Sequence, residues 1–281
     1  MMLGAKAAAI AAALAAAGNL QPTFSAKVEH VRVDVFATER GRPILGLKPD
    51  DFELVDNGVP QRVELASFDE IPLNVIVVVD MSGSVAGEKL EHLRAASRAL
   101  LDRLKAGDQA AVVTFSHVIR QVAPLSGDVA RVREAIEQAE PEGDTALVDA
   151  SYAGLMVAET DAGRALQIVF SDGLDTASWL EPSIVLDAAK RSDAVVYGVA
   201  ASGKPSFLRD LSALTGGSVF EAQSTKNLSS IFLSVLEEFR QRYLVSYSPQ
   251  GVTKNGWHKL DVRVKGRNAT IKARPGYLAG S

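Results

Sequence analysis

A short apolar run that ends in polar residues constrains the fold of this chain more than any other feature. Residues 76–79 are consecutive β-branched side chains, a pattern typical of a strand buried on both faces of a sheet. Asp80, Ser82 and Ser84 follow at alternating positions, where the strand is expected to end and a helix to begin. In open α/β sheets, ligands lie at the carboxyl ends of such strands. These carboxylate and hydroxyl oxygens favour a hard divalent cation, Mg²⁺ or Mn²⁺ before Zn²⁺.

Length, charge and cysteine content exclude several classes of protein. With 281 residues the chain can bury a large core and hold two domains. Its net charge of -4, without a concentrated Lys/Arg block, argues against nucleic acid or an anionic membrane surface as the main partner. The chain has no Cys, so disulfides, thiol catalysis and Cys-based zinc sites are excluded.

The first residues have the layout of a secretory signal peptide, which we predict over residues 1–26. Lys6 precedes an uncharged apolar stretch over residues 7–17. The small residues at 15–18 supply one candidate cleavage site, and Phe24-Ser25-Ala26 supplies a second, poorer one. The apolar stretch is too short to span a bilayer. We therefore expect a secreted or periplasmic protein with no membrane span in the mature chain. An Ala-rich tail is the alternative interpretation.

Residues 71–242 alternate between apolar strands and amphipathic helices. The helix after Ser84 carries a leucine stripe through Leu104 and is expected to end at Gly107, and another helix is predicted over residues 145–159. Such alternation predicts an α/β domain with a doubly wound, mainly parallel sheet and helices on both faces.

The two ends of the chain differ from this central region, because their apolar residues alternate with polar ones as in antiparallel strands. In residues 27–70, Asp56-Asn57-Gly58 signals a hairpin turn, and a strand is expected over 63–68. Neither this segment nor residues 243–281 has enough strands for a stable domain. We predict that they pair into one discontinuous β-sandwich domain, into which the α/β domain of residues 71–242 is inserted.

Two further polar positions complete a family pattern. Thr145 lies in Gly-Asp-Thr-Ala-Leu, and Asp172 follows the predicted buried strand over residues 166–170. With the Asp-x-Ser-x-Ser of residues 80–84, these residues resemble the metal-ion-dependent adhesion site (MIDAS) of von Willebrand factor type A (VWA) domains. The resemblance covers about residues 73–240, and the flanking segments are similar to those of secreted bacterial VWA-related proteins.

The resemblance implies a function as well as a fold. It implies a divalent-cation site formed by Asp80, Ser82, Ser84, Thr145 and Asp172, in which hydroxyls bind the ion directly and one or both carboxylates act through water. A vacant position on the ion then binds an exposed Asp or Glu of a partner protein. We expect a non-enzymatic, metal-ion-dependent module for adhesion or assembly. Mg²⁺ is the expected ion, and Mn²⁺ and Ca²⁺ remain open.

Several alternatives compete with this interpretation. Ser82, Ser84 and Thr145 could instead cap helices, and Asp172 could belong to a simple turn. The chain could be a structural scaffold with a vestigial metal site. A metal-dependent hydrolase is less favoured, because phosphoryl-transfer enzymes with an Asp-led loop need a second Asp where Ser82 stands. The four His show no ligand spacing and are interpreted as surface or packing residues, and Asp175 as an exposed carboxylate.

Overall fold

The computed structural model describes residues 30–68, 71–159, 163–202 and 206–280, so the predicted signal peptide lies outside the described residues. The strands are β1 (Val31–Glu39), β2 (Arg42–Pro43), β3 (Phe52–Asp56), β4 (Val59–Gln61), β5 (Leu65–Phe68), β6 (Leu73–Asp80), β7 (Gln109–Phe115), β8 (Ile119–Ser126), β9 (Arg164–Ser171), β10 (Val195–Ala200), β11 (Val219–Glu221), β12 (Tyr243–Tyr247), β13 (Gly256–Val264), β14 (Thr270–Lys272) and β15 (Gly276–Ala279). The helices are α1 (Glu88–Leu101), α2 (Val129–Glu137), α3 (Leu147–Ala158), α4 (Pro182–Ala189), α5 (Ser206–Thr215) and α6 (Leu228–Arg240).

The central sheet has six strands in the order β11-β10-β9-β6-β7-β8. Neighbouring strands are parallel except β8, which runs antiparallel to β7 at the sheet edge. Every residue of β6 is buried, because helices cover both faces. Val77 packs in the cluster that includes residues of α1, α2 and α6, whereas Val78 packs in the cluster with α3, α4 and α5. The predicted mainly parallel sheet with helices on both faces is confirmed.

The strand order places the predicted polar loops together. From β6 the chain continues to β7 on one side of the sheet, and it later returns to β9 on the other side of β6. The ends of β6 and β9 therefore flank a topological switch point, where open α/β sheets bind ligands. Asp80 is the last residue of β6, and Asp172 directly follows β9.

Strands from both ends of the chain form two smaller antiparallel sheets. One has the order β14-β1-β12-β5, with β2 paired to β1, and the other has the order β15-β13-β3-β4. Both sheets contribute to one hydrophobic cluster, which includes Val35, Leu54, Val245 and Val262. The pairing of β1 with β12 joins the N-terminal and C-terminal segments directly. The division into an inserted domain and a discontinuous β-sandwich domain stays a prediction.

A hairpin turn and a strand in the N-terminal segment can be compared with the sequence-based expectations. The hairpin turn is confirmed, because Asn57 and Gly58 both have positive φ, 47° and 84°, between paired β3 and β4. The strand expected over residues 63–68 is confirmed over Leu65–Phe68, but it begins two residues later than expected. The chain leaves one sheet after β4 and enters the other at β5, which pairs with β12. An alternating pattern cannot show such a crossing, because β3 of one sheet and β5 of the other both contribute residues to the same hydrophobic cluster.

Both predicted helices are shorter than expected. The helix α1 ends at Leu101 and not at Gly107. Leu104 N donates to Leu101 O, so the stripe continues beyond the helix in a tighter turn of the 3₁₀ type. The helix α3 begins at Leu147 rather than Thr145, which leaves Thr145 in the preceding loop. Among the described residues, the helices are too short or too polar to cross a bilayer.

Candidate metal centre

Three loops at the carboxyl end of the central sheet are tied together through their backbones. Gly83 N donates a 3.0 Å hydrogen bond to Gly143 O, which joins the loop after β6 to the loop before α3. Thr176 N donates a 2.8 Å bond to Thr145 O, which joins the loop before α3 to the loop after β9. The three joined loops and the last residue of β6 carry all the predicted ligand residues, namely Asp80, Ser82, Ser84, Thr145 and Asp172.

A chain of hydrogen bonds connects four of the predicted ligands. Ser82 N donates to Asp80 Oδ1 at 2.8 Å, and the hydroxyls of Ser82 and Ser84 lie 3.1 Å apart. The Ser84 hydroxyl then donates to Asp172 Oδ1 at 2.6 Å. The polar atoms therefore converge on one point, as a small cation site requires.

The position of Thr145 and the burial of the predicted ligands show where the site opens to solvent. Thr145 Oγ1 lies beside Gly173, within 3.7 Å of the position that a Cβ would take there. Asp80, Thr145 and Asp172 are all buried, whereas Ser84 is exposed. A ligand can therefore approach from solvent on the side of Ser84.

The hydroxyls do not cap helices, contrary to the alternative interpretation of these residues. Ser82 stands at the cap position of a short 3₁₀ turn, but its side chain makes no capping bond there. The cap position of α3 is occupied by Ala146, not by Thr145. The Val148 N–H of that helix is instead bonded by Asp175 Oδ1 at 3.2 Å and Ser178 Oγ at 3.1 Å. Asp175 is therefore more than an exposed surface carboxylate.

The carboxylate of Asp80 is buried, and this burial is the main influence on its pKa. Burial raises the pKa of Asp80, hydrogen bonds from Ser82 and Ser171 lower it, and the negative charge of Asp172 raises it again. The net result is a raised pKa, because loss of water disfavours the charged form. A bound divalent cation would supply the missing counter-charge.

Two residues at the site were not found from the sequence. The Ser171 hydroxyl donates to Asp80 Oδ2 at 2.8 Å, and Lys89 Nζ lies 2.5 Å from Asp172 Oδ2. Ser171 directly precedes Asp172 at the end of β9, and this position was its one sequence signal. Lys89 had none, because its role depends on how α1 is placed beside β9.

The donor set of the candidate site fits a hard cation. Within the described ranges, no group of three His, Asp or Glu side chains is arranged to hold a metal. The predicted site has two carboxylates and three hydroxyls, so it falls outside that pattern. Oxygen donors in this number suit Mg²⁺, which keeps several waters when bound to protein.

One of the histidines has a more specific environment than expected. His258 is fully buried, and its Nδ1 lies 2.8 Å from Asp56 Oδ1. Tyr247 and Tyr277 donate to the other oxygen of the same carboxylate, at 2.8 and 2.9 Å. This polar cluster joins β3, β12, β13 and β15, so it links the two smaller sheets rather than the metal centre.

The fold and the candidate site together define an α/β domain with a cluster of hydroxyls and carboxylates at the switch point of its sheet. The profile of the von Willebrand factor type A domain matches residues 74–233, which is more than half of the chain. The chain belongs to this family. Its members typically mediate metal-dependent protein interactions.

Individual relatives agree with the family assignment. Inter-alpha-trypsin inhibitor heavy chain H2 of Mus musculus is 29% identical over 139 residues, which are 45% of this chain and 15% of that protein. The chain therefore spans a small part of this relative. The von Willebrand factor type A structure from Catenulispora acidiphila has a TM-score of 0.55 at 14% identity, over 86% of this chain and 75% of that one.

A second solved structure carries a metal. Proximal thread matrix protein 1 from the mussel byssus, with a zinc-occupied MIDAS motif, has a TM-score of 0.55 at 19% identity, over 66% of this chain and 49% of that chain. At such identities, the two solved structures establish a shared fold.

Replacing Lys89 with methionine is expected to tighten Mg²⁺ binding. The ammonium of Lys89 neutralises Asp172 at 2.5 Å, so a cation binding there must displace or repel it. Hydrogen bonds to charged groups contribute about 1.5–3 kcal/mol, which corresponds to roughly tenfold or more in affinity. Isothermal titration calorimetry with MgCl₂ measures the change. Lys89→Arg keeps the charge, so its Mg²⁺ affinity should stay near that of wild type. If Lys89→Met bound Mg²⁺ more weakly, Lys89 would instead position Asp172 for the metal.

Proposed function

We propose that this chain is a non-enzymatic, metal-ion-dependent protein-binding module for adhesion or assembly. A divalent cation held by Asp80, Ser82, Ser84, Thr145 and Asp172 binds an Asp or Glu of a partner protein. The observation that carries the proposal is the linked arrangement of the Ser82 and Ser84 hydroxyls, which reach Asp172 instead of capping helices.

We propose Mg²⁺ as the resident ion, with Mn²⁺ and Ca²⁺ as alternatives. The donor set contains only oxygen, which suits these hard cations better than Zn²⁺. Zinc is the ion named for the mussel structure, and it is an alternative for this chain too. Neutral hydroxyls quench the ion weakly, so the cation keeps the affinity for one further carboxylate.

Binding is favoured over catalysis by the composition of the site. Ser82 occupies the place where a phosphoryl-transfer enzyme of this loop type would need a second carboxylate. The Ser82 hydroxyl is hydrogen-bonded to Ser84 rather than to a base that could activate it. The site therefore has the groups to hold a cation but lacks an acid–base pair.

We also propose the domain arrangement and location of the protein. Residues 27–70 and 243–281 form a β-sandwich domain with residues 71–242 as an insertion. The antiparallel pairing of β1 with β12 and of β3 with β13 supports this division, as does a fold likeness that extends over 86% of the chain. Export through the signal peptide of residues 1–26 would place the metal site in the periplasm or outside the cell.

Selection from a displayed library of random heptapeptides tests the proposal. The immobilised full chain is loaded with Mg²⁺, and bound peptides are eluted with EDTA. The recovered peptides should share an Asp or Glu, and changing that residue to Asn or Gln should abolish binding. Asp172→Asn should abolish binding, whereas Asp187→Asn, which alters an exposed carboxylate on α4, should not.

Three results would contradict the proposal. Peptides recovered without a carboxylate would exclude recognition of an acidic residue. Peptide binding that is equal with and without Mg²⁺ and is retained by Asp172→Asn would favour the scaffold with a vestigial site. Metal-dependent turnover of phosphate or ester substrates, lost in Asp80→Asn, would show a hydrolase.

A further inference from the structure

A tryptophan beside the metal centre is almost completely exposed. The Trp179 side chain is 93% exposed, and Leu174 in the same segment is 59% exposed. Both follow Asp172 closely in the loop between β9 and α4. Single exposed apolar residues are common on protein surfaces, but Trp is among the residues enriched where binding energy is concentrated. The position of Trp179 on a loop joined to the predicted ligands therefore carries the argument.

The backbone under Trp179 is held firmly. The amides of Trp179 and Leu180 both donate to the carboxylate of Asp149, each at 2.9 Å. The Ser178 hydroxyl accepts from the Asp149 amide at 3.1 Å and donates to Asp175 at 2.5 Å. These bonds clamp the loop onto the first turn of α3, so the exposed indole is presented on an ordered support. An anchor that is already ordered loses little conformational entropy on binding.

The loop that carries Trp179 is joined to the predicted metal centre at two points. It begins at the predicted ligand Asp172, and the amides of Thr176 and Ala177 donate to the carbonyl of the predicted ligand Thr145, at 2.8 and 3.1 Å. The exposed indole and the predicted cation therefore lie on the same end of the sheet. A partner segment bound to the cation would pass close to the loop.

We propose that Leu174 and Trp179 form an apolar rim that recognises a large apolar side chain next to the partner's acidic residue. This inference rests on the proposed function, and it adds the sequence preference of the partner. A metal ion binds any accessible carboxylate, so a second contact is needed to select one partner segment. Asp175 and Glu181 are exposed on the same loop, so a second acidic residue would be repelled. The partner segment therefore pairs one Asp or Glu with an apolar neighbour.

Defined peptides and a single fluorescent reporter test this inference. The chain has two Trp, so Trp257→Phe leaves Trp179 as the sole tryptophan of the full-length protein. Blocked heptapeptides carry a central Asp in a Gly background, with or without one Leu or Phe within two positions. With Mg²⁺ present, the apolar peptides should bind about tenfold more tightly than the all-Gly peptide and should shift Trp179 emission to the blue. The tenfold difference corresponds to about 1.4 kcal/mol.

Matched variants distinguish the contribution of the apolar rim from that of the metal centre. Trp179→Ser should remove the preference for apolar peptides while Mg²⁺ binding and the requirement for Asp persist. Leu45→Ser, at another exposed apolar position (65% exposed), should leave the preference unchanged. Mg²⁺ titration without peptide confirms that each variant keeps the metal site.

The possible outcomes are distinguishable. If Asp peptides bind with Mg²⁺ but the apolar preference survives in Trp179→Ser, the rim is wrong and the proposed function stands. Peptide binding without an emission change would also refute the rim. If no Asp peptide binds in Mg²⁺, both proposals are overturned. Trp179-dependent binding to phosphatidylcholine vesicles, without any apolar preference among the peptides, would show that the indole contacts lipid and would refute the protein partner.

Discussion

Replacing Asp80 with asparagine is expected to abolish cation binding without weakening the metal-free fold. At an effective dielectric constant of about 20, a carboxylate attracts a divalent cation about 4 Å away by several kcal/mol. A net loss of roughly 3 kcal/mol corresponds to about 100-fold in affinity. Calorimetric titration with MgCl₂ measures this loss.

Although Asp80→Asn should lose cation affinity, its stability in the absence of metal should not fall. Asparagine can accept from Ser82 N as Asp80 does, and it can donate to the Ser171 hydroxyl, whose proton can turn to Gly173 O at 3.2 Å. The variant keeps these bonds but carries no buried charge. In EDTA at about pH 7, its Tm should equal or exceed that of wild type.

The pH dependence of this difference has a definite sign. Burial raises the pKa of Asp80, so the folded state binds the proton more tightly than the unfolded state does. The contribution of Asp80 to wild-type stability therefore falls as the pH rises through the range between the two pKa values. The Tm advantage of Asp80→Asn should shrink as the pH is lowered and vanish once Asp80 is protonated in both states.

A second variant at the same site provides the contrast. Asp172 is bonded to Lys89 and Ser84, so Asp172→Asn loses an ion pair in the metal-free protein. Its Tm in EDTA should fall below that of wild type, while cation binding is lost as in Asp80→Asn. Unchanged Mg²⁺ affinity in both variants would exclude these carboxylates as ligands.

Replacing Asp34 with alanine is expected to destabilise the protein by about 3–5 kcal/mol, because a buried guanidinium loses its partner. Arg164 Nε lies 3.0 Å from Asp34 Oδ1, and Arg164 Nη2 donates to the same oxygen. Arg164 is 2% exposed and Asp34 is 8% exposed. Asp34 belongs to β1 and Arg164 to β9, so the pair joins the small sheets to the central sheet.

Equilibrium unfolding in urea measures this effect. The double replacement Asp34→Leu with Arg164→Met should recover most of the lost stability, since hydrophobic pairs often replace buried ion pairs without loss. Asp261→Ala removes an exposed partner of Arg263 and should change the free energy of unfolding little. If Asp34→Ala were as mild as Asp261→Ala, the contact between the small sheets and the central sheet would not depend on this pair.

Much of the fold could be predicted because its signals are local. The apolar run of β6 reflects burial on both faces of the sheet. The apolar stripe of α1 reflects burial on one face of that helix. The crossing of the chain between the two small sheets, near Val63, could not be predicted, because strands of both sheets show the same alternation. The end of α1 was misplaced because the leucine stripe continues into a tighter turn.

The sequence by itself determined which residues could form the cation site. Asp80, Ser82, Ser84, Thr145 and Asp172 each lie where a loop begins or a helix is about to start, and the family pattern links them. Their chemical character, carboxylate and hydroxyl oxygens, also follows from the sequence alone. Residue type and spacing are sufficient for this, since parallel strands bring their carboxyl ends to one edge of the sheet.

Only the tertiary structure decided what surrounds that site. Lys89 meets Asp172, Ser171 meets Asp80, and Asp149 holds the loop that exposes Trp179. Each contact joins segments far apart in the chain, so its existence depends on how helices pack on the sheet and how loops fold back. Burial also turned Arg164 and Asp34, charged residues without distinction in the sequence, into a contact between sheets. Such contacts have no periodic signature, because they arise from packing in three dimensions rather than from local pattern.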